Sequence, residues 1–185
     1  TPSLTVIGDN AFEGCIALIE IDLPNIIKIG SNAFNGCISL KNVKLSTTIN
    51  KIKKCTFKGC AHLDKITIPK SVSKIGSSAF YGCSSMKKFT IPTSVIKIGP
   101  MAFYGCSALQ KISIPSSVAI IEEKTFMKCS SLSEVTCTLA LTFIENKAFS
   151  ECNSLTKLVI PNPNLIPLLD TKHIGVQNGV IVSKA

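Results

Sequence analysis

Cysteine and histidine are the side chains of this sequence that could do metal or covalent chemistry, and their spacing limits what they can do. The chain has nine cysteines and two histidines, His62 and His173. A structural zinc site usually draws on closely spaced pairs of such ligands, yet no Cys-x-x-Cys pair occurs. We therefore expect no metal site and no bound cofactor.

His62 and Asp64 are the residues that a serine–histidine–aspartate arrangement would use. No nucleophile motif surrounds them, and neither glycine-rich phosphate-binding motif occurs in the chain. The other interpretation, which we prefer, places both histidines on the solvated surface. The sequence therefore predicts a protein without catalytic residues.

Most of the cysteines belong to a repeat. Seven phenylalanines follow one another at a spacing of 22 residues once and 23 residues five times, and a cysteine stands three residues after each. Three residues later comes a leucine or methionine, and then an alternating apolar pair such as Ile66 and Ile68. The phenylalanines are Phe12, Phe34, Phe57, Phe80, Phe103, Phe126 and Phe149, and the cysteines are Cys15, Cys37, Cys60, Cys83, Cys106, Cys129 and Cys152.

Each repeat has the pattern of a short strand followed by a turn. Alternation of apolar and polar residues predicts a half-buried strand at 63–68, and the proline after it ends the ladder. The segment 76–83 predicts a turn with a short helix whose Phe80 and Cys83 point inward. Stacked repeats would bury these residues, so we expect a column of free thiols. A disulfide between Cys55 and another cysteine stays open.

The pattern L-x-x-I-x-I-P-x-S-V-x-x-I-G-x-x-A-F-x-G-C-x-S resembles the leucine-rich repeats of the BspA type, also called the Treponema pallidum class. Residues 65–85 and 88–108 fit it nearly throughout, and the resemblance covers roughly residues 3–161. It implies an α/β right-handed solenoid with parallel strands on the concave face and short helices or 3₁₀ turns on the convex face. It also implies a surface or secreted protein of a host-associated microbe, with a role in adhesion.

The domain prediction follows from where the pattern stops. We expect a repeat array at residues 1–161, with seven repeats of which the first is partial, and a non-repeat segment at residues 162–185. Two β-prone runs around Asn178-Gly179 predict a hairpin in that segment. A hydrophobic fraction of 45% supports a packed core, and no apolar run is long enough for a transmembrane segment. The absence of a visible leader peptide suggests a mature or excised segment.

The charges are divided along the chain. Residues 1–23 carry −4, residues 28–111 carry +13, and residues 112–185 carry 0. All 20 basic residues are lysines, so the arginine that usually reads guanine is missing, and a sequence-specific nucleic acid partner is not expected. Repeat phase predicts outward rows of lysines that could bind a ligand: Lys44, Lys65, Lys88, Lys111 and Lys157 on the strands, and Lys28, Lys51, Lys74 and Lys97 in a separate row. The alternative is a lysine-rich face that only keeps the protein soluble.

Tyr81 and Tyr104 occupy the position after the phenylalanine in neighbouring repeats. Tyrosine is enriched in binding interfaces, so the pair is a second candidate contact; the other interpretation, which we prefer, is that the pair shields neighbouring apolar surface.

These observations favour a non-enzymatic binding module of a surface or secreted protein, which engages a protein such as a host matrix or surface protein through its strand face. An intracellular scaffold is one alternative, since free thiols and the lack of an N-x-[ST] motif suit the cytoplasm. Capture of anionic glycans by the lysine rows is the other.

Overall fold

The protein is described by a computed structural model that covers residues 4–177 and 181–183. Short parallel strands recur along the chain and stack into two columns. We call the first column the strand ladder; its strands are β2 (Glu20–Leu23), β4 (Asn42–Leu45), β6 (Lys65–Ile66), β9 (Lys111–Ser113), β11 (Glu134–Thr136), β13 (Lys157–Val159) and β14 (Ile181–Ser183). The second ladder holds β1 (Val6–Ile7), β3 (Lys28–Ile29), β5 (Lys51–Ile52), β7 (Lys74–Ile75), β8 (Lys97–Ile98), β10 (Ile120–Ile121) and β12 (Phe143–Ile144).

Strand pairing follows the repeat. Asn42 pairs with Lys65, and Glu134 pairs with Lys111 on one side and Lys157 on the other. In the second ladder Lys51 pairs with Lys74, which pairs with Lys97. The outward rows predicted from the repeat phase are therefore real columns. One turn of the solenoid, with its strand from each ladder, is called a rung below.

The core is a column of phenylalanines between the ladders. The rings of Phe12, Phe34, Phe57, Phe80, Phe103, Phe126 and Phe149 stack with centroid distances of 5.2–5.8 Å and nearly parallel planes. All except Phe12 are fully buried, because each lies between two rungs. No single repeat could bury its own ring, so stacking supplies the stability of the fold.

Helices are almost absent from the described residues, and the α/β description predicted from the sequence is not confirmed. The structure is a parallel-strand solenoid, and the helices found within residues 4–177 are a 3₁₀ turn at Ile166–Leu168 and the four-residue α1 at Thr171–Ile174. Neither has the length or apolarity needed to cross a bilayer. The turns that carry the phenylalanines do not form helices because alternate N–H groups donate to the next rung, as Phe57 N does to Ala79 O at 2.8 Å, and only the N–H groups between them bond within the turn. A left-handed residue in each turn, such as Cys55 with φ 54°, also interrupts a helical path.

The C-terminal segment differs from the hairpin prediction. The turn residues Asn178 and Gly179 lie outside the described residues. His173 and Ile174, where a strand was predicted, belong to α1, because the Asp170 side chain accepts hydrogen bonds from two N–H groups at its start. On the other side β14 pairs in parallel with β13, so it extends the strand ladder by one rung.

Candidate functional site

The structure places the five lysines predicted from the strand rows on the strand ladder. Lys88, Lys111 and Lys157 stand in one column, Lys65 stands at the same repeat position opposite Asn42, and Lys44 stands in the neighbouring column opposite Asp22. All five side chains are exposed. They come from different repeats, and strand pairing on each side of residues 66–91 aligns them with their neighbours.

Ion pairs divide these lysines into two groups. Lys44 Nζ lies 3.6 Å from Asp22 Oδ2, and Lys111 and Lys157 share the Glu134 carboxylate at 2.8 and 2.9 Å. The hydrogen bonds from Lys111 and Lys157 lower the pKa of Glu134 to about 2. Within residues 4–177, Lys65 and Lys88 have no acidic partner. Among the five lysines, Lys65 and Lys88 are therefore the two whose charge no carboxylate offsets within residues 4–177.

The strand ladder is interrupted at the same place. Strand β6 pairs with β4 on one side, but no backbone hydrogen bond joins residues 66–68 to residues 89–91. Lys88 pairs only with Lys111 of the following rung, through a single bridge. Ile66 is half-buried, whereas its counterparts Val43 and Ile112 are buried to 2% exposure.

Phe89 accounts for the interruption. It takes the inward strand position that a valine or isoleucine fills on the adjacent rungs, and its ring packs edge-on against Phe80 and Phe103 at 5.0 and 4.9 Å. A larger side chain in a closely packed interior must displace its neighbours. Residues 88–91 make no strand pairing with residues 66–68, and a gap lies between them on the strand face.

The gap forms a groove of about 510 Å³. Its apolar part is Ile66, Ile68, Ile91 and Pro92, and its polar part is formed by threonine hydroxyls and the ammonium groups of Lys70 and Lys88. We call it the strand-face groove. An apolar pocket with a few polar groups at its rim suits an apolar side chain flanked by acidic groups.

The two tyrosines form a separate cluster in the turns, away from the strand ladder. Their rings stack at 4.5 Å, and the ammonium groups of Lys58 and Lys128 lie 5.5 and 5.7 Å from the centroids of Tyr81 and Tyr104. Partial desolvation and the neighbouring Tyr104 raise the pKa of Tyr81. Each ring face is thus occupied by a ring or a lysine, and only the ring edges and hydroxyls remain for a ligand.

The cysteines form a column of free thiols. Cys15 is exposed and the other eight are buried. Six of the buried thiols donate a hydrogen bond to the phenylalanine carbonyl of the preceding repeat, at 3.0–3.3 Å; they are Cys37, Cys60, Cys83, Cys106, Cys129 and Cys152. Burial raises the pKa of Cys60, Cys137 and Cys152 to about 12, so these thiols stay protonated at neutral pH.

The histidines are separated from each other and from the thiols. His62 is exposed, with Nδ1 2.7 Å from the Ile38 carbonyl, and His173 is exposed in α1. The described residues contain no group of three side chains that could hold a metal ion.

Comparison with known proteins decides the family. The model of the BspA-type leucine-rich repeat region matches six copies, over residues 1–79 and 50–167. The chain belongs to this family. The resemblance inferred from the repeat motif is therefore confirmed. Proteins of this family and fold are typically non-enzymatic interaction modules, and BspA-type proteins are generally surface-associated.

Solved structures of bacterial leucine-rich repeat proteins share the fold. The T. pallidum leucine-rich repeat protein TpLRR is 26% identical with a TM-score of 0.79, over 98% of this chain and 80% of that protein. A leucine-rich repeat protein from Bacteroides ovatus is 28% identical with a TM-score of 0.76, over 86% of this chain and 48% of its own. A leucine-rich cell surface protein from Faecalibacterium prausnitzii, at 22% identity and a TM-score of 0.57, covers 96% of this chain and 63% of its own, and shows the fold alone. No curated protein sequence matches the chain.

Sequence reasoning placed Lys65 and Lys88 correctly in their column but missed the strand-face groove beside them. The available signal was Phe89, the one aromatic residue among the aliphatic residues at that strand position. It also missed Lys70, which lies after the strand and lines the groove.

Proposed function

We propose that this BspA-type repeat segment belongs to a surface or secreted adhesin-like protein and binds a protein of a host or neighbouring cell through its strand face. The strand-face groove carries the proposal, since it combines an apolar cleft with Lys70 and Lys88, which have no acidic partner among residues 4–177. The surface location is supported by the general behaviour of BspA-type proteins.

The occupant that fits the groove is a loop of the partner with an apolar side chain between acidic residues. Burial of that side chain against Ile68, Ile91 and Pro92 would supply affinity, since apolar anchors in small pockets dominate many interfaces. The net charge of +13 over residues 28–111 would attract acidic residues and orient the partner. A neutral or basic loop would lack this electrostatic attraction.

A groove-filling variant tests the proposal. Thr90 is exposed and lines the groove. Ser113 is also exposed, at the equivalent outward position of the next rung, but it does not line the groove. The chain and its variants are applied to purified extracellular-matrix proteins on a sensor surface. Thr90→Trp should weaken binding at least about tenfold, because it occupies the space for the anchor, and Ser113→Trp should not. Equal loss in both, or no binding to any matrix protein, would contradict the proposal.

A second matched pair of variants tests whether the charge of the groove contributes to binding. Lys88→Glu and Lys157→Glu make the same change of charge in one column, but only Lys88 lines the groove. We expect loss of binding in Lys88→Glu alone, with part of the wild-type affinity retained at high salt because the apolar contact remains.

An intracellular scaffold is the second candidate, favoured by the nine free thiols. Antibody labelling of intact and permeabilised cells separates the two functions. A surface protein is labelled on intact cells, and an intracellular scaffold is labelled only after permeabilisation.

A further inference from the structure

A second depression lies where the chain enters the strand ladder. It has a volume of about 610 Å³ and is lined by Lys41, His62, Lys65, Ser85 and Lys87, among others. Lys41 and His62 also line an adjacent depression of about 480 Å³ that reaches Ala17 in the first repeat. Together they form one trough along successive rungs, from Ala17 to Ala108, which we call the lysine trough. It shares no lining residue with the strand-face groove.

The trough is positively charged. Lys41, Lys65 and Lys87 are exposed, and none is within an ion-pair distance of a carboxylate in the described part of the chain. Asp64 is the one acidic residue of its lining, so the three lysines leave a net charge of +2. A ligand with several anionic groups would be attracted by it.

Neutral hydrogen-bonding groups stand between the lysines. Ser84, Ser85 and Asn42 line the trough, and Ser39 extends this polar lining to the second rung. His62 Nδ1 lies 2.7 Å from the Ile38 carbonyl, so in the neutral ring Nδ1 carries the proton and Nε2 remains an acceptor. The trough therefore offers both donors and acceptors to a ligand that carries hydroxyl groups.

We propose that the lysine trough binds an extended sulfated glycan chain. Rungs repeat about every 4.8 Å, so cationic and hydroxyl groups recur along a line that a linear polymer can follow. Single-stranded nucleic acid binds to platforms of aromatic rings, and duplex DNA is read largely by arginine, but the trough lining contains no phenylalanine, tyrosine, tryptophan or arginine and only the single ring of His62. Sulfates would contact the lysines, and sugar hydroxyls would contact the serines, Asn42 and His62.

The test measures binding to heparin at physiological salt, with chemically desulfated heparin as the unsulfated counterpart. The double variant Lys41→Gln/Lys87→Gln removes two lysines of the trough. The control Lys51→Gln/Lys74→Gln removes two exposed lysines of the second ladder that also have no ion pair among residues 4–177. The trough variant should weaken heparin binding between about threefold and thirtyfold, and the control less than twofold. Desulfated heparin should bind at least about tenfold more weakly than heparin.

Three outcomes would overturn the proposal. Equal loss in both double variants means diffuse attraction to the whole basic zone, and absence of heparin binding means no glycan site. Tight binding of a single-stranded DNA oligonucleotide with the same dependence on the trough lysines means a general polyanion site. Thr90→Trp should leave heparin binding unchanged, so failure of the groove proposal and failure of this one are distinguishable. Circular dichroism and thermal unfolding confirm that each variant is folded.

Discussion

Raising the pH from 8 to 10 should destabilise the fold through its buried thiols. Burial raises the pKa of Cys60, Cys137 and Cys152 from the ordinary value of 9.0 to about 12. Above pH 9 the unfolded chain releases these protons while the folded chain keeps them, so the unfolded state binds fewer protons. The free energy of unfolding therefore falls as the pH rises from about 9 towards 12.

The magnitude follows from the two pKa values. At pH 10 each of these thiols costs about 1.4 kcal/mol of stability, so the three together cost about 4 kcal/mol. Burial also raises the pKa of Cys83, Cys106 and Cys129, which adds to the loss in the same direction. A loss of this size is a large fraction of the stability of an ordinary domain, which is about 5–15 kcal/mol.

The assay is urea unfolding at pH 8 and pH 10 under reducing conditions. Cys137→Ala is the informative variant, because burial is the one cause of the raised pKa of Cys137. It should reduce the loss of stability between the two pH values by about 1.4 kcal/mol. Cys15→Ala, which removes an exposed thiol, is the control and should leave the loss as in the wild type. If Cys137→Ala shows the full wild-type loss, lysine or tyrosine titration causes the alkaline sensitivity and the thiol argument is wrong.

Other measurements address the core, the thiols and the ion pairs. Phe103→Ala should lower the free energy of unfolding, measured with urea, by about 3–5 kcal/mol because the ring is fully buried between two stacked rings. Phe12→Ala should lower it by about half of that or less, because the Phe12 ring is half-buried and has one stacked neighbour. A thiol reagent should label Cys15 of the native chain rapidly and the other eight cysteines only on unfolding; rapid labelling of several thiols would mean that the column is open to solvent. The pKa of Glu134 should be about 2 in an NMR titration, and it should rise towards 4.5 in Lys111→Gln. The stabilisation that the wild-type protein gains from the ion pairs of Glu134 should be lost as the pH falls from about 4.5 to 2. An unchanged pKa in Lys111→Gln would mean that the 2.8 Å contact does not persist in solution.

The interior of the solenoid could be predicted from the sequence because the same buried positions recur in every repeat. Phe80 and Cys83 recur at a fixed spacing, so their burial and stacking followed from periodicity alone. The columns of lysines could be predicted for the same reason, since parallel pairing in register carries each repeat position onto its equivalent. The roles proposed for these lysines and for Tyr81 and Tyr104 stay predictions.

Features that depend on contacts between repeats could not be predicted in this way. The segment 76–83 has a local composition that favours a short helix, but alternate N–H groups from 78 to 82 bond to the next rung, as Phe80 N does to Ala102 O at 2.8 Å. The runs on either side of Asn178-Gly179 have a local hairpin signal, yet β14 pairs with β13. The division into an array at 1–161 and a separate segment at 162–185 stays a prediction, although the strand ladder continues across that boundary.

The position of the candidate site follows from how a repeat solenoid is constrained. Every interior position must match the rung before and the rung after it, so substitutions there are restricted, whereas outward positions need only avoid repulsion. Most outward charges of the strand ladder satisfy that requirement, as the shared pairing of Glu134 with Lys111 and Lys157 shows. Around residues 65–91 both conditions are relaxed, because Phe89 departs from the aliphatic interior position and Lys65 and Lys88 have no acidic partner among residues 4–177. The interior departure lies beside the groove, and the unpaired charge of Lys88 lies in its lining, so an apolar cleft and an available positive charge occur together at this place.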